Sequence, residues 1–346
     1  MRTLKLVLAL SALLLIAGCQ TLGFYTQAVG GQIGIWRKTQ PVEKLLADPA
    51  TDPALRARLL RISSIRDFAS SELALPDNGS YRSYADLGRP YVVWNVFATP
   101  ELSLAPRQWC FLFAGCVAYR GYFVEARARS FADQQASSGD DVIVAGVPAY
   151  STLGWFDDPL LNTFVSLPDI EMARLIFHEL SHQVAYAGDD SVFNESFAVA
   201  VELEGVERWL SRNGSDAQRD AWALAQQRKR EFFALVDRAR GRLRAVYESG
   251  ASDEAKRVRK AETFAAMRAE YRQLKQGWNG YAGYDFWVDE PLNNAKLVPL
   301  ATYSDLVPGF QRLLRDHGGD LAAFYAEVKR LAKQTAEERR AALSAL

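Results

Sequence analysis

Residues 178–182 read His-Glu-Leu-Ser-His and lie inside a stretch whose apolar residues recur with helical period. Because successive residues of an α-helix advance by about 100°, His178 and His182 project within roughly 40° of one another. The apolar residues Ile170, Ala173, Ile176, Phe177, Leu180 and Val184 fall on a broadly opposite arc. The pattern therefore predicts a half-buried helix, capped at its start by Asp169 and ended at Gly188.

This spacing is typical of a metal site. Two imidazoles one turn apart can bind a single Zn²⁺, and Glu179 between them is turned aside, where it can hold a water molecule. A catalytic zinc needs a third protein ligand and one open position. Glu195 is the candidate third ligand, because Asn-Glu-Ser-Phe-Ala at residues 194–198 opens a second amphipathic helix. The alternative is a chance His-Glu-x-x-His pattern on an ordinary buried helix.

The second helix is predicted to end near Asn213 and to fold back antiparallel on the first, which would bring Glu195 to the imidazoles. Glu202 follows Glu195 by seven residues and lies on nearly the same helical face. It is a candidate acceptor for the second ring N–H of a ligand histidine.

His-Glu-x-x-His followed by Asn-Glu-x-Phe-Ala resembles the motif pair of the gluzincin metallopeptidases. The resemblance implies that His178, His182 and Glu195 are zinc ligands and that Glu179 is the general base. The sequence departs from that group in the short spacing between His182 and Glu195. It also carries Val199 where those endopeptidases often have an acidic residue.

The composition is that of a globular chain with ample material for one or two domains: 346 residues, of which 49% are hydrophobic. Lys plus Arg and Asp plus Glu balance at 41 each. The balance gives no indication of a nucleic-acid partner.

Residues 1–18 resemble the signal peptide of a bacterial lipoprotein. A positively charged start is followed by the apolar run 6–16, which is too short to span a membrane comfortably. The run ends in Ile-Ala-Gly-Cys, similar to a lipobox, which implies cleavage before Cys19 and lipid attachment to its sulfur. Gln20 is not the aspartate that commonly retains such proteins at the inner membrane. We therefore expect an outer-membrane anchor facing the periplasm; the alternative is a plain secretory signal.

Cys110 and Cys116 remain as an even pair if Cys19 is lipidated. In an oxidising compartment such a pair is predicted to form a disulfide that closes a small loop. The alternative is two reduced, buried thiols.

The middle third of the chain, residues 81–168, is rich in β-branched and aromatic residues, which predict strands at 91–97, 109–119 and 141–147. Residues 122–136 have a helical pattern. These elements predict a mixed sheet.

Residues 149–159 are predicted to be an edge strand that pairs with an extended peptide substrate. The substrate-binding candidates there are Ala149, Tyr150, Ser151 and Asp157. The alternative is an aromatic-rich loop packed on the core. Asp157 or Asp158 could face a substrate amine or, alternatively, cap the following turn.

Five segments together are similar to the bacterial putative aminopeptidase lipoproteins, over nearly the whole mature chain. They are residues 80–84, 119–123, 149–159, 178–182 and 194–198. The resemblance implies a peptidase that acts on peptides in the cell envelope.

Residues 215–276 are highly charged and predict a long helical hairpin, whose basic run 228–230 is expected to be solvated. Residues 277–346 begin with loops rich in Asn, Tyr and Trp. Gluzincins commonly place a Tyr or His beside the metal to stabilise the oxyanion. Tyr303 is the preferred donor here, with Tyr281 or Tyr284 as alternatives and plain core aromatics as the third reading.

The sequence thus predicts an α+β protein in which a small mixed sheet packs with a mainly helical, zincin-like core and a long helical hairpin. Residues 19–346 form one unit: 19–80 helical, 81–168 sheet, 169–214 zinc-binding helices, 215–276 hairpin and 277–346 C-terminal region. The expected function is zinc-dependent aminopeptidase. The competing functions are a zinc endopeptidase that matures envelope proteins and a noncatalytic envelope lipoprotein with a structural metal.

Overall fold

The computed structural model describes residues 23–111, 115–149, 151–188, 190–302 and 306–345. The predicted signal peptide and Cys19 lie outside this part of the chain. The described residues begin with helix α1 at 23–38, strand β1 at Gln40–Pro41, and helices α2 at Val42–Ala47 and α3 at Pro53–Leu73. Asp52 caps α3 by accepting a hydrogen bond from the Leu55 N–H, and Pro53 takes the first helical position.

The middle of the chain holds the strands and one helix. In order they are β2 (Ser83–Ala85), β3 (Val93–Pro100), β4 (Trp109–Phe111), β5 (Gly115–Val117), β6 (Arg120–Tyr122), α4 (Glu125–Ser137), β7 (Asp140–Val147) and β8 (Leu160–Leu161). The fold is a mixture of helices and small sheets, as predicted for an α+β protein.

The largest sheet is antiparallel, with β3 between β6 and β7. Its register pairs Val93 with Val147 and Pro100 with Asp140. The mixed pairing predicted here occurs instead in a second sheet, where β2 pairs antiparallel with β1 and parallel with β8. The strand predicted over 109–119 is a hairpin of β4 and β5, and a disulfide joins Cys110 to Cys116 across it.

The prediction of an edge strand at 149–159 is wrong for the residues that the structure describes there. Ala149 and residues 151–159 form loop and turns, and Tyr150 lies outside the described part. The chain turns at Leu153 and Gly154, whose φ angles are +58° and +79°. Asp158 holds the turn, because its carboxylate accepts hydrogen bonds from the Thr152 N–H and the Ser151 hydroxyl. An edge strand does precede this loop: β7 pairs with β3 alone among the described strands, so its other side is unpaired there.

Helices α5 (Asp169–His182) and α6 (Ser191–Asn213) pack against each other and against α3 in the main hydrophobic core. Their close approach requires Gly205, because a Cβ there would lie 2.6 Å from the Phe177 ring. Two boundaries differ from the prediction. Asp169 is the first helical residue and pairs with Arg58 and Arg61 of α3, and α5 ends at His182, before Gly188.

The remaining chain is helical. It contains α7 (Asp216–Glu248), α8 (Asp253–Gly277), α9 (Asp285–Asp289), α10 (Asn294–Thr302), α11 (Val307–Asp316), α12 (Leu321–Leu331) and α13 (Ala336–Ala345). As predicted, α7 and α8 form a long hairpin, with a second core of its own that includes Phe232, Met267 and Trp278. Helix α10 joins the two parts by packing on β3, β7, α6 and α7. None of the described helices combines the length and the hydropathy needed to cross a membrane.

Candidate metal centre

The structure brings the three predicted metal ligands together. His178 Nε2 lies 3.2 Å from Glu195 Oε2, and His182 Nε2 lies 3.8 Å from the same oxygen. The three donor atoms all lie within 4.8 Å of one another. Two ligands at about 2 Å from a tetrahedral metal ion are separated by about 3.3 Å, so this donor set fits one ion with little movement.

Local contacts fix Glu195 opposite the histidines. Asp190 caps α6 by accepting from the Phe193 N–H, and Arg339 of α13 holds the same carboxylate at 3.1 Å. The Asn194 side chain then binds both backbone groups of Ala187, at 2.7 Å each. This pair of hydrogen bonds ties the turn after α5 to the first turn of α6. Asn194 of the Asn-Glu-Ser-Phe-Ala motif therefore has a structural role.

Glu202 lies behind His178. Its Oε2 is 2.9 Å from His178 Nδ1, so the ring donates to Glu202 and is oriented with Nε2 towards Glu195. The side chain of Glu202 is fully buried and also contacts the Arg174 guanidinium at 3.2 Å and Lys229 Nζ at 3.8 Å. Burial alone would raise the pKa of Glu202, but the charges of Arg174, His178 and Lys229 lower it to about 2.

The two histidines differ in protonation. Burial lowers the pKa of His178, but hydrogen bonds to Glu195 and Glu202 outweigh this and raise its pKa to about 10. Burial lowers the pKa of His182 to about 4. Its Nδ1 is buried and has no hydrogen-bond partner among the described residues. The two shifts are therefore opposite in direction: the neighbouring carboxylates favour protonation of His178, whereas burial favours the neutral imidazole of His182.

Glu179 is a partly buried carboxyl group beside these residues. Burial raises the pKa of Glu179 to about 7, and the negative charges of Glu195, Asp158 and Glu202 add to this against the opposing effect of His178. Arg174 and Lys229 both contact Glu202, whereas Glu195 lies against the two imidazoles. Such a donor set, with two imidazoles and excess carboxylate, suits a divalent cation.

One residue of the predicted substrate-binding segment lies beside the end of α5. Gly154 of the 151–157 loop faces Gln183, the residue after His182, because a Cβ at Gly154 would lie 3.5 Å from Gln183 Cγ. In that loop Ser151 is bound to Asp158, and Asp157 is exposed. Ala149 is partly buried against the core.

The predicted oxyanion donors are not brought to the metal ligands by any described contact. Tyr303 lies outside the described residues. Tyr284 stacks on Phe232 in the hairpin core, with ring centroids 4.1 Å apart, and Tyr281 lies under the Arg228 guanidinium.

Sequence reasoning missed three residues at the site. Lys229 belongs to the basic run that was expected to be solvated, yet it reaches Glu202 from α7. Tyr81 is 2% exposed, adopts a φ of +64°, and its hydroxyl has no hydrogen-bond partner in the described part of the chain. Burial raises the pKa of Tyr81, with added effects from the charges of Glu179 and Asp158. The pKa of Tyr119 is also raised, by desolvation and by the charges of Glu195 and Glu179, although 37% of the residue is exposed.

One signal in the sequence pointed to the tyrosines. Tyr81 and Tyr119 both lie in segments that carry the family resemblance, residues 80–84 and 119–123, but neither segment indicated a role.

Over residues 23–343 the chain matches the protein family described as "Putative aminopeptidase". No curated protein and no solved structure matches the sequence.

Proposed function

Because the chain belongs to the putative aminopeptidase family, we propose that it is a zinc-dependent aminopeptidase. In this proposal His178, His182 and Glu195 hold the metal, and Glu179 is the general base. The observation that carries the proposal is the convergence of two Nε2 atoms and one carboxylate oxygen on the α5–α6 pair.

Zinc, when bound, supplies a Lewis acid that lowers the pKa of a water ligand and polarises the scissile carbonyl. The protein side chains supply the rest. Glu202 orients His178 through the Nδ1 contact. Glu179 accepts a proton from the attacking water and delivers it to the leaving amine.

The donor set supports a catalytic rather than a structural metal. A structural zinc site is closed by four protein ligands, whereas three converge here among the described residues. Two histidines and a carboxylate can also bind ferrous iron. The carboxyl of Glu179 next to the first histidine, in the His-Glu-x-x-His order, favours hydrolytic zinc chemistry.

An aminopeptidase also needs an acid for the substrate ammonium and a closed end to its cleft. Two acids near the site are already engaged, Glu202 by His178 and Arg174, and Asp158 by Thr152 and Ser151. Asp157 remains, exposed on the 151–157 loop, and we assign the ammonium to it. Helix α7, which reaches the site through Lys229, closes one side.

In this proposal Tyr303 donates the hydrogen bond that stabilises the oxyanion. Tyr119 is the second phenol for this role, because the charges of Glu179 and Glu195 act on it. The zincin-like character of the helical core is part of the same proposal. So are lipid attachment at Cys19 and an outer-membrane location facing the periplasm.

A paired cleavage assay tests the proposal. The purified protein is given one peptide with a free amino terminus and the same peptide N-acetylated, with Glu179→Gln as the inactive control. We expect stepwise trimming of the free peptide and no cleavage of the acetylated one. Internal cleavage of both would establish the endopeptidase alternative, and inactivity on both at full zinc occupancy would favour the noncatalytic one.

A further inference from the structure

Helix α1 exposes an apolar face. No charged residue occurs between Lys5 and Arg37, so the whole of α1 up to its last two residues is uncharged. The helix buries Gln27 and Ile35 on one side. On the opposite side, at helical spacing, Val29, Ile33 and Trp36 are 58%, 37% and 42% exposed. Packing against the described residues leaves much of this face exposed.

A second segment extends this face. Trp155 and Phe156, in the loop after β7, are 66% and 49% exposed. The Phe156 ring packs edge-to-face on Trp36, with ring centroids 4.8 Å apart. We call the five side chains Val29, Ile33, Trp36, Trp155 and Phe156 the α1–loop surface. Contiguous exposed apolar surface of this kind marks a contact with a membrane or a partner.

We propose that the α1–loop surface lies on a lipid bilayer. Three residues separate Cys19, the predicted lipid attachment site, from the first residue of α1. A lipid on that cysteine would hold the start of α1 within a few residues of the membrane. Tryptophan is enriched at the depth of the lipid headgroups, and the exposed Arg37 at the end of α1 suits anionic headgroups.

The helix rests on the membrane and does not cross it. At the helical rise, residues 23–38 span about 24 Å, which is less than the ~30 Å hydrocarbon core of a bilayer. Its opposite face is occupied by the protein itself, since Gln27 binds the backbone of Gly121 and Phe123.

Docking on this surface orients the metal centre. The loop that carries Trp155 and Phe156 faces Gln183, next to His182. The His182 end of α5 would therefore lie on the side of the protein that faces the headgroups, so that the site would receive peptide termini held near the membrane. This consequence for substrates rests on the proposed peptidase function, whereas the surface itself does not.

Lipid photocrosslinking of the full chain tests the surface. A benzophenone amino acid is placed at Phe156, at Trp36 or, as a matched control, at Phe286, which is 69% exposed on α9. Each protein is reconstituted in vesicles of phosphatidylethanolamine and phosphatidylglycerol. We expect several-fold more lipid adduct from positions 156 and 36 than from 286. Equal lipid labelling at all three positions, or crosslinks from 156 to a second protein chain, would overturn the proposal.

A charge-insertion variant supplies the second measurement. With the crosslinker at Trp36, the double substitution Trp155→Asp and Phe156→Asp should lower the lipid adduct several-fold, whereas Phe286→Asp should not. Both residues are exposed, so the variant should fold; zinc content and unfolding temperature check this. An unchanged adduct in the folded variant contradicts the proposal. Absence of peptidase activity in the unsubstituted protein, with normal crosslinking, would instead count against the proposed function alone.

Discussion

The two sides of the metal centre are built differently. Behind His178 lies a buried ionic network in which Glu202 contacts the ring Nδ1, Arg174 of α5 and Lys229 of α7. Behind His182 the ring Nδ1 has no partner among the described residues, and the nearest aromatic contacts are His178 and Tyr186. The His178 side thus fixes the orientation of a ligand, whereas the His182 side, which precedes Gln183 and the contact with the 151–157 loop, has no such network among the described residues.

The largest effect is expected at Glu195, where the two sides meet. Glu195→Ala removes the one carboxylate oxygen that lies near both imidazoles. We expect loss of bound zinc, measured by inductively coupled plasma mass spectrometry on the purified protein. Glu207→Ala, on the exposed side of the same helix, should keep its zinc. Full zinc occupancy in the Glu195 variant would contradict the assignment of the ligands.

Glu179→Gln should lower turnover without changing zinc binding. The substitution keeps the size of the side chain and all three ligands, so zinc content should not change. Because a positioned acid–base group typically contributes 10²–10⁴-fold, we expect turnover to fall by about that factor. Peptide cleavage under saturating substrate, with zinc measured on the same sample, gives the result. Near-normal turnover would show that another group takes the proton.

Glu202→Gln tests the asymmetry directly. Loss of the charge behind His178 should weaken zinc binding by about 10–100-fold, the usual effect of removing an outer partner of a metal ligand. Tyr186→Phe, on the His182 side, should change zinc affinity far less. Competition with a chromophoric chelator measures both, and Glu204→Gln, paired with Arg208 on the same helix, is the control. Equal losses for Glu202 and Tyr186 would remove the distinction between the two sides.

The parts of this site that the sequence predicted are those encoded locally. His178 and His182 share one helix, and Glu195 lies in the first turn of the next, so helical period and one short connection place all three. The capping of α5 was missed because Arg58 and Arg61, which bind Asp169, come from a distant helix.

The 149–159 segment was misjudged for a related reason. Its aromatic residues favour a strand, but the turn at Leu153 and Gly154 and the hydrogen bonds to Asp158 determine its shape. Tyr81 and Lys229 reach the site only through packing of elements far apart in sequence. No local pattern in the sequence encodes such contacts.

The smallest effect is expected at Lys229, and it tests whether the hairpin contributes to the His178 side. Lys229 Nζ lies 3.8 Å from Glu202 Oε1, and the lysine side chain is 31% exposed. A partly exposed ion pair of this kind contributes at most about 1 kcal/mol, which corresponds to about fivefold in affinity. When Lys229 is removed, Arg174, which is closer to Glu202, still compensates most of the negative charge of the Glu202 carboxylate. Lys229→Met should therefore weaken zinc binding by a few-fold, less than Glu202→Gln, and should have almost no effect in the Glu202→Gln background.

The control is Arg230→Met. Arg230 is the next residue of the same basic run and is exposed, so its substitution should leave zinc affinity unchanged. If Lys229→Met and Arg230→Met behave alike, the hairpin shapes the cleft without supporting the metal. If the effect of Lys229→Met persists without the Glu202 charge, the lysine acts on the site by another route.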